Sequence, residues 1–274
     1  MSRVDARLRE MQFLAWLDRQ GSTVWYPPET VNPDTQMIYS LAQDGYINDG
    51  SDPSTQVGTY GISPSAAIKL TIGHKGRVRL SELEQQLQVG RDRDDTGILW
   101  AKRHVATGLA IDVLSASEDT PLSVVFLDMN DLGLINNTHG HGAGDEAIRS
   151  FFQTVITTLG ARGEAYRNGG DEAVVLLRNT DDDGARKILD VFVRQLSKEV
   201  LVLDGAKVEV RLTASCGSAS TTDPNEDAMA LLKRADAVMY RAKAESKKRR
   251  PRVSAHAVGD DGEVVILEPQ ASAM

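Results

Sequence analysis

Three things are scarce in this chain. Cysteine is nearly absent: Cys216 is the single one in 274 residues. That excludes a disulfide framework and a cysteine metal cluster, and it suits a reducing cytosol. Long apolar runs are missing too. No stretch approaches the roughly 20 residues a membrane helix needs, and the N-terminus lacks the apolar core of a signal peptide, so no membrane attachment is expected. Positive charge is in deficit, at a formal net of −8, so the chain as a whole lacks the cationic surface that phosphate neutralisation requires. What is present, 41% hydrophobic and 26% charged residues, is the composition of a globular protein. The length leaves room for one large or two small domains.

Residues 1–90 read as one of these. Val4, Leu8, Met11, Leu14, Ala15 and Leu17 recur at helical spacing over residues 3–19, and Gly21 ends the run. Pro27-Pro28 opens a loop, Thr35 to Gln43 reads as a second helix, and Gly45-Tyr46-Ile47 follows. Val57 to Ile62 and Ala67 to Thr71 look like two short strands. Leu80, Leu83 and Leu87 then share a helix face, which either packs on its own domain or starts a dimer stalk. This order resembles a winged-helix domain. Such domains often bind DNA, but residues 1–90 hold eight Lys and Arg against ten Asp and Glu, a balance of −2. That argues against nucleic acid and for contact with a protein or ligand. Residues 91–98, charged and bounded by Gly90 and Gly97, read as a linker.

The chemistry concentrates further on. Tyr166-Arg-Asn-Gly-Gly-Asp-Glu-Ala173 lies between apolar runs, and Asn-Gly-Gly signals a tight hairpin turn. A turn needs no acid pair after its glycines, yet Asp171 and Glu172 stand there. Upstream, Leu122 to Met129 reads as a buried strand that ends in Asp128. A carboxylate at such a place is costly unless a cation or hydrogen bonds compensate it. If strand and hairpin are neighbours, Asp128 and Asp171 or Glu172 could share a divalent ion. The plainer reading of Asp128 is a cap for the helix that follows.

These residues resemble the GGDEF domain of diguanylate cyclases. Gly169-Gly170-Asp171-Glu172-Ala173 stands in the place of its name motif. The run from Asp128 through Asn136-Asn137 to Gly140-His141-Gly-Ala-Gly144-Asp145 follows the family pattern in order and spacing. Leu212-Thr-Ala-Ser-Cys-Gly217 resembles its Thr-x-Ser-x-Gly strand, and Ala235-Asp236-Ala-Val-Met-Tyr240-Arg-Ala-Lys243 its Ala-Asp-x-Ala-Leu-Tyr-x-Ala-Lys helix. The resemblance covers about residues 94–257 and implies an α+β domain over 99–257, with 258–274 as an extension. The element order, helix 99–115, strand 122–129, helices 131–159, hairpin 164–178, helix 183–197, strands 200–219, helix 225–247 and a further strand, then suggests a ferredoxin-like nucleotide-cyclase palm, an antiparallel sheet backed by helices.

The resemblance also implies roles. Asp128, the Met129 carbonyl and Asp171 would ligate Mg²⁺ or Mn²⁺, with Glu172 orienting the attacking hydroxyl. Asn136 and Asp145 would contact guanine, Gly169 and Gly170 would let GTP lie against the backbone, and Lys243 and Lys247 would hold the triphosphate. A basic helix end stabilised by the helix dipole is the alternative for the two lysines. Two GTP would be condensed to cyclic di-GMP by a homodimer, one nucleotide per subunit.

The sequence also departs from the family. Ala173 replaces an aromatic, Asn130 and Asn137 replace aspartates, and Leu132-Gly133 replaces a Phe-Lys pair. Gly160 and Gly163 stand where the product-inhibition motif Arg-x-x-Asp would be, so feedback by that route is not expected. Three rivals follow: a degenerate module that binds GTP without turnover, a synthase of another cyclic dinucleotide, and a DNA-binding regulator.

Overall fold

The computed structural model describes residues 3–19, 24–26, 35–49, 68–88, 90–198, 201–203, 206–207, 210–249 and 252–267. The chain divides into two compact units, Met1–Gly90 and Arg91–Met274.

In the first unit, α1 (Arg3–Arg19) and α2 (Thr35–Gln43) form where helical spacing places them. The strands β1 (Val24–Tyr26), β2 (Ile47–Asp49) and β3 (Ile68–Ile72) make an antiparallel sheet in the order β1-β3-β2. The strand expected from Val57 lies outside the described residues. A last helix, α3 (His74–Gln88), packs on α1. Leu83 is fully buried and Leu80 and Leu87 half-buried, so the leucine face is spent inside this unit. Arg79 of α3 reaches Glu10 of α1 at 2.8 Å beside that seam.

The second unit is built on a six-stranded sheet. Its strands are β4 (Leu122–Met129), β5 (Gly163–Arg167), β6 (Glu172–Arg178), β9 (Ala214–Thr221), β10 (Ser254–Val258) and β11 (Val265–Leu267), in the order β11-β10-β9-β4-β6-β5. The helices are α4 (Val105–Val113), α5 (Leu132–His139), α6 (His141–Leu159), α7 (Asp182–Leu196) and α8 (Ala228–Lys247). A separate two-residue hairpin, β7 (Val202–Leu203) and β8 (Ala206–Lys207), takes part of the segment expected as strand before β9.

All eight residues of β4 are buried, because both faces of the sheet are covered. Val125, Leu127 and Met129 enter one core with Phe151, Phe152, Leu189 and Phe192 of α6 and α7. Leu122, Val124 and Phe126 enter the other, with Leu109 of α4 and Leu231 and Met239 of α8. Alternation of side chains along a strand sends successive residues to opposite faces, so a strand covered twice shows no polar period.

The expected fold needs three corrections. The sheet is not wholly antiparallel: β10 runs parallel to β9, with His256 opposite Cys216, because α8 carries the chain back across the sheet between them. The segment 91–98 belongs to the second unit and is no free linker: Arg91 pairs with Glu164 at 2.7 Å and Asp94 with Arg167 at 3.2 Å, and beyond it Trp100 N–H donates to Ala165 O and Arg167 N–H to Trp100 O, both at 2.9 Å. With residues 91–101 laid along β5, the first α-helix begins at Val105, after a single 3₁₀ turn at Lys102–His104. The last strand, β11, pairs with β10, so the presumed extension from 258 contributes to the sheet.

Gly217 sets how closely α8 lies on the sheet. A Cβ there would fall 1.9 Å from the Met239 backbone nitrogen, which no side-chain adjustment relieves. Gly217→Ala is therefore expected to push α8 off β9 and to destabilise the protein by about 1–3 kcal/mol, measured as a lower urea midpoint at unchanged slope.

Candidate functional site

The site is assembled at the C-terminal end of β4. Asp128 is 3% exposed and lies opposite Glu172 of β6 on one side and Ser215 of β9 on the other. Past it, Met129 N–H donates to Asp171 O at 3.1 Å and Asn130 N–H to Thr213 O at 2.8 Å. The strand end is thus stitched to the hairpin and to the lead-in of β9. The sheet itself brings residues 128 and 171–172 together across more than forty positions of sequence.

The hairpin is held from inside and outside. Asn168 N–H donates to Glu172 O at 2.9 Å across the turn, and Asn168 Nδ2 to Glu172 Oε2 at 2.9 Å. The Glu172 carboxylate folds back over Gly169, where a Cβ would lie 2.9 Å from Oε2. Neither Gly169 nor Gly170 uses positive φ. The first supplies room for Glu172, and the second faces open space. Arg167 donates through Nε to Gly169 O at 2.9 Å and through Nη2 to Gly170 O at 2.8 Å. Its Nη1 reaches Asp94 Oδ2 at 3.2 Å and pairs with Asp95. One guanidinium therefore ties both glycine carbonyls to the segment read as a linker. The sequence signal for it was a single basic residue ahead of a glycine turn, which is weak alone.

Charge balance at this corner is unfavourable without a cation. Burial pushes the Asp171 carboxyl above its usual range, and the Asp128 charge pushes it further. Burial likewise raises Asp128, opposed by Lys243 of α8, whose Nζ donates to Asp128 Oδ2 at 2.6 Å. Two half-shielded carboxylates that repel each other are a fitting pair for a hard divalent ion. Among the described residues no group of three or more His, Cys, Asp or Glu forms a closed cage. A pair alone matches Mg²⁺, which keeps several waters and takes one or two carboxylates plus substrate phosphates.

Asn136 and Asp145 lie on the two helices that flank the α5–α6 corner, where Gly140 turns the chain at φ 85. Asn136 lies over Gly144, whose Cβ would stand 1.9 Å from Asn136 Oδ1. Asp145 is the next residue and is exposed. Lys247 is exposed one turn beyond Lys243 on α8, and it is Lys243 that reaches Asp128.

The departures acquire locations. Ala173 is fully buried in the α6–α7 core, so the lost aromatic is a matter of packing. Asn130 is a buried polar hub. Its Nδ2 donates to Thr213 Oγ1, Ser246 Oγ and Val253 O at 3.2–3.3 Å, and its Oδ1 accepts from Ser215 Oγ at 2.9 Å. Gly163 cannot bear a side chain, since a Cβ would lie 1.5 Å from Leu176 O. Gly133, by contrast, is exposed with open space around it.

The sequence also did not disclose a buried ionic cluster behind the hairpin. Arg91 clamps Glu164 with two 2.7 Å bonds and reaches Tyr166 Oη at 3.1 Å, while its guanidinium stacks 4.3 Å from the Trp100 ring. Gly108 makes room for the Tyr166 hydroxyl, which would lie 2.1 Å from a Cβ.

An acid pair at the end of a buried strand of an α+β sheet, beside a glycine hairpin, defines the site. Comparison with known proteins narrows the reading. The family profile "Diguanylate cyclase, GGDEF domain" matches residues 92–249, and the chain belongs to that family. It is 28% identical over 135 residues to Diguanylate cyclase A of Treponema denticola, covering 49% of this chain and 36% of that one. It is 31% identical over 127 residues to Response regulator PleD of Caulobacter vibrioides, covering 46% and 28%. It is also 26% identical over 161 residues to Cyclic di-GMP phosphodiesterase PdeR of Escherichia coli, covering 58% and 24%. The chain thus spans about a third or less of these relatives' lengths. Among solved structures it shares its fold with the coiled coil and GGDEF domain of DgcB from Caulobacter crescentus, at TM-score 0.53, 23% identity and coverage of 64% and 91%.

Two outcomes are expected here. Asn130→Asp sets a carboxylate against the Val253 carbonyl and should cost about 1–3 kcal/mol, read by chemical denaturation. Asp171→Asn should raise the stability of metal-free protein at neutral pH. A carboxyl raised in the folded state carries no penalty below its unfolded value near 3.9; the penalty grows as pH climbs through the raised folded value. The gain in melting temperature over wild type should therefore vanish in acid.

Proposed function

We propose that the second unit is a diguanylate cyclase that condenses two GTP to cyclic di-GMP and two pyrophosphates, each subunit of a homodimer presenting one nucleotide. The observation that carries this is the acid pair Asp128 and Asp171 at the end of a doubly covered strand, with Lys243 on it. Asp128 and Asp171, with the Met129 carbonyl, would hold Mg²⁺ or Mn²⁺. When bound, such an ion polarises the α-phosphate and lowers the pKa of the attacking 3′-hydroxyl.

The chain's own residues do the rest. Glu172, fixed by Asn168 over Gly169, orients the 3′-hydroxyl. Asn136 and the exposed Asp145 accept from guanine N1–H and the N2 amino group, a donor pattern that adenine does not offer. Lys243 and Lys247 take the triphosphate from α8, and open Gly170 lets it lie along the turn. Arg167 keeps both glycine carbonyls drawn back toward Asp94, so the turn presents a fixed surface.

The first unit we read as a winged-helix-like regulatory domain. Its strand order β1-β3-β2, with helices before and after, supports this, and its acidic balance favours a protein or ligand signal over DNA.

Exposed Gly133 favours one rival, a module that binds GTP without turnover, because a phosphate-binding lysine is missing there. A single assay separates the readings. Purified full chain with Mg²⁺ and all four ribonucleotide triphosphates should yield cyclic di-GMP by mass analysis, with Asp128→Ala and Asp171→Ala each lowering the rate at least about a hundredfold. GTP binding without pyrophosphate release would leave only the binding module, and a mixed product would point to a different cyclic dinucleotide.

A further inference from the structure

Lys243 has two claims on it. The proposed function sends its ammonium to the triphosphate, while in the structure it stands 2.6 Å from Asp128 Oδ2. The contact is sheltered: the lysine side chain is 25% exposed and the aspartate 5%. Buried Asp128 needs a cation at all times, and before any metal arrives the lysine supplies it.

An oxygen of Asp128 cannot serve both cations well. A divalent ion bound at about 2.0–2.1 Å would stand within a few ångströms of an ammonium left in place, in a partly shielded corner where like charges repel strongly. The two therefore compete for Asp128. The helix cannot carry the lysine away, because α8 is locked on β9 by the close approach of Gly217 to the Met239 backbone. The four-carbon stem of the lysine can swing its head group without moving α8.

Resting on the diguanylate-cyclase reading, we propose that Lys243 is the resident counter-ion of the metal carboxylates and that the triphosphate must draw it off before the metal is held. Metal alone has to displace the ammonium and strand it. Metal arriving with nucleotide offers the ammonium phosphate oxygens in exchange. The two ligands then bind cooperatively, and Lys243 is the coupling between them; by linkage each must tighten the other by the same factor. The chain would therefore hold little free divalent metal and load it as the nucleotide complex.

The test is Mn²⁺ binding to the full chain, read by electron paramagnetic resonance of the free ion, without nucleotide and with 3′-deoxy-GTP, which lacks the attacking hydroxyl. In wild type, Mn²⁺ alone should bind weakly and 3′-deoxy-GTP should tighten it. Lys243→Met should bind Mn²⁺ alone at least about fivefold tighter, with the nucleotide's effect shrinking in proportion. Lys243→Gln should do the same should the methionine variant prove unstable. Lys243→Arg keeps the charge and should stay as weak as wild type. Asp128→Asn should remove the binding in every background. If Lys243→Met and Lys243→Gln bind Mn²⁺ no tighter than wild type while Asp128→Asn still abolishes binding, the counter-ion role is wrong and the metal site stands. If Asp128→Asn changes nothing, the metal site itself is wrong, and the counter-ion role falls with it.

Discussion

An acid at the end of a strand that is buried on both faces is the constraint on which this palm turns. Leu122 to Phe126 are apolar or neutral and are packed from above and below, so the fold excludes water along the whole of β4. Asp128 inherits that dryness. β6 and its hairpin bring Glu172 and Asp171 close, which disfavours the Asp128 charge, and α8 brings Lys243, whose ammonium compensates it. Each of these has its own local fixings, Gly217 beneath α8 and the Asn130 hub joining β4, β9, α8 and β10. The energetic cost of the acid and its usefulness have the same origin, a place where a cation is wanted and water cannot serve in its stead.

Behind the hairpin lies a second set of charges of a different kind. Arg91, Glu164 and Tyr166 pair with one another, and Asp112 pairs with Arg178 at 2.9 Å beside them. A buried ion pair is weak evidence for stability, since desolvation offsets most of its attraction. Its geometric consequence is firmer. With Trp100 hydrogen-bonded along β5 and Arg167 holding both glycine carbonyls, residues 91–100 brace the turn that carries Asp171. The first residues of the second unit are therefore part of the site's scaffold.

Much of this was legible from sequence, and the parts that were not share a cause. The helices over 3–19 and 35–43, strand 122–129 and the hairpin follow from periods of 3.6 and 2 and from Asn-Gly-Gly, which are local signals. The acid pair was legible because a carboxylate ending an apolar strand and a second one after a glycine turn each break a local rule, and broken rules mark sites. What composition misread was 91–98. Charge and glycine look alike whether solvated or paired, and Asp94 and Arg91 are paired with partners some seventy residues away. The parallel pairing of β10 was missed for the same reason. Whether α8 returns the chain to the far edge of the sheet depends on packing against Gly217, and a lone glycine does not announce what crosses it.

The motif departures can now be weighed by where they sit. On β6 successive side chains alternate between faces, so Glu172 stands at the site while Ala173 points into the α6–α7 core against Leu127 and Val175. An aromatic lost there changes how the sheet is packed and leaves the acids where they were. Asn130 is a neutral hub whose amide donates to the Val253 carbonyl, a contact that a carboxylate could not make. Gly163 is dictated by the Leu176 carbonyl. The Leu132-Gly133 exchange removes a cation from solvent-facing surface near the site, and it leaves α8 as the source of ammonium groups beside the acids. With no lysine at 133, the proposed function leaves Lys243 and Lys247 of α8 to meet the triphosphate, and of the two it is Lys243 that also neutralises Asp128 in the resting chain. On that reading the Lys243 ammonium moves between two anions, and the order in which ligands arrive becomes a property of the fold.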